Sequence, residues 1–172
     1  METQEIEEKL QEARESSDKR IGLTMAIVAV LLAVATMLGH RTHTEEVLIQ
    51  TKAADQWAYF QAKNTRSSMH ADFAELLAAL PGNEALAQKF RAHSEEQKSS
   101  GEEIKAKAEE LEKETATTSR RASQYNTAEI FLEIAIVLSS ICLLTGQRVF
   151  WGVSFVSSLI GVGFLVFGLV MR

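Results

Sequence analysis

The sequence predicts an all-α membrane protein with three transmembrane helices and a long antiparallel, coiled-coil-like helical hairpin between the first and second. Three observations predict it. Apolar residues segregate into runs at 21–39, 128–146 and 149–171, while charge gathers in 1–20 and 40–127. Nine glycines and one proline leave long helices almost uninterrupted. The strong turn signal Pro81-Gly82-Asn83 divides 40–127 into two arms of nearly equal length. With 46% apolar residues and a mean hydropathy near zero, the averages alone would pass for a soluble domain, so it is the distribution that decides.

Residues 1–20 are acidic on balance, with Ile6, Leu10 and Ala13 on one face, and read as a short amphipathic cytoplasmic helix able to dock a partner. The run 21–39 carries no charge and at about 1.5 Å per residue reaches across roughly 30 Å of hydrocarbon. Ala33-Val34-Ala35 resembles a signal-peptidase site, which makes a cleaved signal peptide the competing reading. The long acidic stretch before it is unlike a signal n-region.

The second run, 128–146, opens with two acids. A crossing from Thr127 to Gly146 places Glu129 at one headgroup layer and Glu133 one turn deeper on the same face. An acid inside a span is costly and is by default a functional hypothesis; the structural alternative is that Glu133 snorkels or meets His40 or Arg41. Gly146-Gln147-Arg148 links this run to the third, 149–171, where Trp151 stands at one end like an interfacial anchor. The single cysteine, Cys142, has no partner in the chain and reads as packing.

Between the first two spans, proline ends one arm, glycine permits the bend, and Asn83 is positioned to cap the next arm with Glu84 in its first turn. Each arm is about 60 to 70 Å long as a helix, so a hairpin bent at Pro81 returns the chain to the membrane it left. An antiparallel fold about that corner pairs Leu77 with Leu86, Phe73 with Phe90 and His70 with His93. Met69, Phe73, Leu76 and Leu80 on the first arm, and Leu86, Phe90, His93 and Gln97 on the second, repeat with heptad-like 4-3-4 spacing. The second arm then breaks step at Ser99-Ser100-Gly101, where a four-residue insertion fits. Beyond it Ile104, Ala108, Leu111, Thr115, Thr118, Ala122 and Tyr125 resume.

From Thr115 onward this seam is small and polar, which calls for further helices to cover it. Copies of the same chain are the simplest source, making a homo-oligomer the expectation. In the first span Gly22, Ala26, Ala29, Ala33 and Thr36 form a small-residue stripe, and in the third Ser154, Ser158, Gly161 and Gly168 mark one face. Such stripes let membrane helices approach closely, either between chains or among the three spans of one chain.

At Asp55-Gln56-Trp57-Ala58-Tyr59-Phe60-Gln61-Ala62-Lys63 an aromatic cluster appears. Trp57, Phe60 and Gln61 share a helical face; Asp55 and Tyr59 lie one turn apart on another. Trp57 stands about 27 Å along a straight helix beyond Gly39, beyond the reach of the membrane interface, so its rings pack on protein. Opposite them the second arm offers chiefly Glu102, Glu103, Lys105, Ala106 and Lys107, with Ile104 facing Tyr59, a thin floor for so much aromatic surface. Trp57, Tyr59, Phe60 and Gln61 are therefore expected at a protein interface, ordinary core packing being the alternative. This stretch resembles the signature of a bacterial membrane family of unknown function, numbered 4337. The acidic start, single span, helical middle and two closing spans resemble it as well. The resemblance implies membership over nearly the whole chain and brings no established activity.

His40 and His43, and His70 and His93 with Asp72 and Glu96 nearby, invite a metal proposal, but neither pair is a recognised motif, and no metal or cofactor is expected. No triad, phosphate-binding glycine loop or nucleotide fingerprint occurs at useful spacing, so the chain is not expected to be an enzyme. A net charge of -5 without a basic patch argues against nucleic acid. Lys19, Arg20 and Arg148 place the N-terminus in the cytoplasm and the hairpin in the periplasm, with Arg41, Arg120, Arg121 and Arg172 opposing.

The functional expectation is a non-catalytic, oligomeric scaffold or accessory subunit of the bacterial inner membrane, contacting lipid, its own copies and a membrane-protein partner. A sensor or modulator of a transporter or receptor complex is the rival, and with only residues 1–20 before the first span it would need a borrowed output partner. An oligomeric channel component is third.

Overall fold

The computed structural model describes the backbone of residues 2–171 and the side chains of Lys9 and of residues 18–171. Within it lie three α-helices: α1 (Glu2–Ala78, 77 residues), α2 (Glu84–Thr145, 62 residues) and α3 (Arg148–Val170, 23 residues). No strand occurs among the described residues, and all three helices are long and apolar enough to cross a membrane. The face expected from Ile6, Leu10 and Ala13, and the terminal Arg172, lie outside the described side chains.

The two breaks fall where the backbone needs glycine. Gly82 takes φ +85 after Pro81, and Gly146 takes φ +68 with its N–H donating to the Cys142 carbonyl at 2.9 Å, a left-handed stop to α2. Asn83 occupies the entry to α2, its carbonyl accepting from Ala87 N–H at 2.9 Å. The expected forward cap by its side chain is absent. The Asn83 amide instead reaches back to the Leu80 carbonyl at 3.5 Å, and Glu84 Oε1 accepts from Gly82 N–H at 3.4 Å.

The chain divides into two compact units, residues 44–118 and residues 1–43 with 119–172. In the first, the less exposed face of α1 runs through Glu46, Ile49, Ala53, Gln56, Phe60, Lys63, Ser67, His70, Ala74 and Leu77 in 3-4 alternation, with Trp57 and Ala71 half-buried beside it. On α2 the same alternation runs through Ala87, Phe90, Ser94, Gln97, Gly101, Ile104, Ala108, Leu111, Thr115 and Thr118. Contacts pair rising numbers on α1 with falling numbers on α2: Phe60 with Gly101, Ser67 with Ser94, Phe73 with Phe90.

This corrects the expected seam. Met69, Phe73, Leu76, Leu80 and Leu86 are exposed, at 52, 51, 66, 49 and 44%, and His93 is exposed as well. On α1 the phase is one residue off, whereas on α2 Phe90 and Gln97 keep their expected places and Ala87 and Ser94 replace Leu86 and His93. Small residues occupy the closest positions, at Ala53, Ser67 and Ala74 on α1 with Phe60 between the first two, and at every seventh residue, Ala87, Ser94, Gly101 and Ala108, on α2. Small side chains let the two backbones approach, which leaves large neighbours on the flanks. The four-residue insertion at Ser99-Ser100-Gly101 is likewise absent. Gly101 is buried in step, and Ile104, Ala108, Leu111, Thr115 and Thr118 continue the same register as Ala87.

The other unit has a core of Val28, Ala35, Ala128, Leu132, Ala135 and Leu165. α3 is seated through Ser154, Ser157, Gly161, Leu165 and Gly168. A β-carbon on Gly161 would lie 2.9 Å from Leu132 Cγ and 3.1 Å from the Ala128 carbonyl oxygen; one on Gly168 would lie 2.8 Å from Tyr125 Cε1. Hydroxyls supply the polar contacts. Ser154 donates to the Ala135 carbonyl at 2.7 Å and lies 2.7 Å from Ser139 Oγ, and Ser157 donates to the Phe131 carbonyl at 2.7 Å. Outward, this unit exposes Leu23, Val30, Met37, Ile130, Val137, Val149 and Phe155.

Candidate functional site

On unit 44–118 the aromatic cluster divides between two faces. Phe60 sits against Gly101, 3.6 Å from where a β-carbon would stand, so it fills the space of the missing side chain. Trp57 meets Phe60 edge-on at 5.8 Å and donates Nε1–H to Glu112 Oε1 at 2.9 Å. Both rings thereby find partners on their own chain. Tyr59 is half exposed, with Lys63 Nζ 5.7 Å from its ring centroid, and Gln61 is exposed. The thin floor expected beneath the aromatics overlooked Gly101 as a seat.

The larger apolar surface lies nearer the Pro81 turn. Met69, Phe73 and Leu76 on α1 and Leu80 in the turn that follows it stand at 4-3-4 spacing with roughly half their area in the open, and Leu86 adds to them from α2. Phe73 also touches Phe90 at 5.8 Å, which anchors the stripe to the seam. Exposed charges of both signs surround it: Asp72 and Glu75 on α1, Lys89 and Arg91 on α2. This stripe was legible as a heptad pattern in the sequence, although as a buried one.

The histidines are grouped as expected. His70 and His93 lie 5.8 Å apart between ring centroids, with His93 Nδ1 3.5 Å from Glu96 Oε2. His70 Nδ1 and Gln97 Oε1 are buried without a hydrogen-bond partner. His40 and His43 line a cavity in the other unit with Thr36, Asn126 and Glu129. Among the described residues no group of three His, Cys, Asp or Glu side chains is placed to hold a metal ion.

Within the unit containing the apolar runs, the two acids of α2 part company. Glu129 is partly buried and accepts from Thr36 Oγ1 at 2.7 Å. Glu133 is exposed and, among the described residues, makes no hydrogen bond or ion pair, so the expected meeting with His40 or Arg41 does not occur. The small-residue stripes also separate. Ser154, Gly161 and Gly168 are buried against α2, with Ser157 rather than Ser158 completing the row. Gly22, Ala26, Ala29 and Ala33 are exposed, because the inward face of α1 is Ile21, Val28 and Ala35. Cys142 is buried, as packing requires. Trp151 donates Nε1–H to Thr24 Oγ1 at 3.3 Å.

Residues 17–171 match the model of a family described as Domain of unknown function (DUF4337). No curated protein and no solved structure matches the chain.

Proposed function

The chain belongs to the DUF4337 family, and from the geometry of its helices we propose a multi-pass bacterial inner-membrane protein that assembles with copies of itself as a non-catalytic scaffold or accessory subunit. In this reading α1, α2 and α3 each cross the bilayer, and the segment 40–127 is an antiparallel helical hairpin in the periplasm. Support for insertion comes from the outward faces of the core-bearing unit, which are lined with leucine, isoleucine, valine and phenylalanine, a surface suited to lipid and costly in water. Lys19, Arg20 and Arg148 favour a cytoplasmic N-terminus. A cysteine introduced at the exposed Ser99 should react with an impermeant maleimide in intact cells; reaction only after lysis would reverse the orientation.

The observation that carries assembly is the exposed Met69-Phe73-Leu76-Leu80 stripe. Its 4-3-4 spacing is that of a helix-packing seam left without a partner, and the charges of both signs beside it suit a second copy related by a twofold axis. Tyr59 and Gln61 extend the same role along α1. Phe73→Glu combined with Leu76→Glu should convert the native particle in mild detergent to one of lower mass. An unchanged mass and composition would reject the stripe as the assembly surface.

A sensor or modulator is the second reading. It is favoured by the buried, unpartnered His70 Nδ1 and Gln97 Oε1, which leave part of the seam weakly held and open to rearrangement.

A further inference from the structure

We propose that the unit formed by residues 1–43 and 119–172 carries a binding site for a primary ammonium group, the headgroup chemistry of an aminophospholipid. The site is a cavity of about 250 Å³ between α1 and α2. From α1 it is lined by Thr36, Gly39, His40 and His43, spaced so that all four fall on one helical face. α2 contributes Ala122, Asn126 and Glu129 from successive turns.

Charge selects the ligand class. The Glu129 carboxylate is partly buried; among the described residues its one hydrogen bond comes from Thr36 Oγ1, at 2.7 Å, and no lysine or arginine of those residues pairs with it. An unpaired, partly buried carboxylate repels an anion and attracts a cation. The surrounding groups refine the choice. Asn126 Oδ1 lies 3.7 Å from where a β-carbon on Gly39 would stand, so an amide oxygen borders the cavity. The N–H bonds of a primary ammonium therefore have a carboxylate and an amide oxygen to meet. A bare metal ion is disfavoured because among the described residues no three His, Cys, Asp or Glu side chains converge. A quaternary ammonium is disfavoured because the lining holds no Trp, Tyr or Phe face for a cation–π cage.

Placement selects the source. The cavity sits where the charge-free run 21–39 gives way to His40, and where α2 passes from Asn126 and Glu129 into its apolar run. This step rests on the membrane reading above: if those runs cross the bilayer, the cavity lies at headgroup depth, where an aminophospholipid presents its ammonium. Gly39 lines the cavity without a side chain to fill it.

The test uses the full chain, with carbonate-washed membranes first showing whether it is integral. Release into the wash would reject the membrane reading itself. With integral protein in mild detergent, native mass spectrometry compares retention of phosphatidylethanolamine, phosphatidylcholine and phosphatidylglycerol of identical acyl chains. Phosphatidylethanolamine should be retained at least about tenfold over the others, a ratio set by the charge-assisted bonds of one ammonium. Glu129→Gln and Gly39→Leu should each remove that preference, Glu133→Gln should keep it, and circular dichroism should show the same helix content throughout. Saturable protection from thermal unfolding by free ethanolamine, lost in Glu129→Gln, without lipid preference would keep the ammonium site and reject the lipid as its source. Equal retention of the three lipids with no ethanolamine effect, or a preference unchanged in folded Glu129→Gln, would overturn the site.

Discussion

Ser67 and Ser94 exchange hydrogen bonds across the seam, each hydroxyl donating to the other's backbone carbonyl at 2.9 Å, with their Oγ atoms 3.1 Å apart. Such reciprocity requires two backbones close enough for a side chain of one to reach the main chain of the other. Serine is thus both small enough for the approach and polar enough to use it.

Ser67→Ala should cost about 0.5–1.5 kcal/mol, the usual net worth of a hydrogen bond, and Ser67→Leu should cost more because its side chain must wedge the helices apart. Chemical denaturation of the full protein in detergent, followed by helical circular dichroism, would check both. Equal stability of Ser67→Leu and the parent would contradict the close approach.

Gly101 faces a similar choice. A methyl group there meets Phe60 at an ordinary 3.6 Å, so Gly101→Ala should be tolerated and gain up to about 1 kcal/mol in helix propensity. Gly101→Leu must displace Phe60 and should cost about 1–3 kcal/mol. The opposite signs, read as shifts in melting temperature, distinguish a seat for the ring from a flexible joint.

Gly161 and Gly168 have no such latitude. Their added β-carbons would meet the Ala128 carbonyl and Leu132, or the Tyr125 ring, at 2.8 to 3.1 Å. Gly161→Ala and Gly168→Ala should each lower thermal stability in detergent by about 1–3 kcal/mol. Gly152→Ala and Gly163→Ala, with nothing within 4 Å, should stay within about 0.5 kcal/mol.

Ser154→Ala removes a hydroxyl that meets both Ser139 and the Ala135 carbonyl. Double-mutant cycles in membrane helices place such contacts near about 0.6 kcal/mol, so a modest loss of stability is expected, with Ser139→Ala relieving part of it. Steric-trapping measurements resolve that difference, and fully additive losses would deny the pairing.

Much of the architecture was legible in sequence because long helices and turns write strong local signals. The Pro81-Gly82 and Gly146 breaks and the helices carrying the three apolar runs follow from composition and backbone chemistry alone. The seam phase did not, since residue size was taken as a marker of burial. Where helices approach closely the opposite holds, with Ala74 at 1% exposure and Phe73 at 51%. On the further half of α2, where small residues were already part of the pattern, Ile104, Ala108, Leu111, Thr115 and Thr118 were read in the correct phase. The ammonium-site residues were visible only singly. Their meeting depends on pairing Thr36 with Glu129, a relation across 93 positions that no local pattern carries.

The recurrence of small residues every seventh position from Ala87 to Ala108 makes the facing surface of α2 nearly self-similar, like a track with evenly spaced notches, while on α1 Phe60 interrupts the row between Ala53 and Ser67. Sliding one repeat, about 10 Å along the axis, would present α1 with much the same groove, so the track alone does not index the pair. Phe60 supplies the index, since a ring seated in the gap at Gly101 has no second glycine within reach along that surface. The short Pro81 corner limits how far the strands of the track can travel. One bulky tooth and a fixed end therefore set the alignment of a surface otherwise built to be interchangeable.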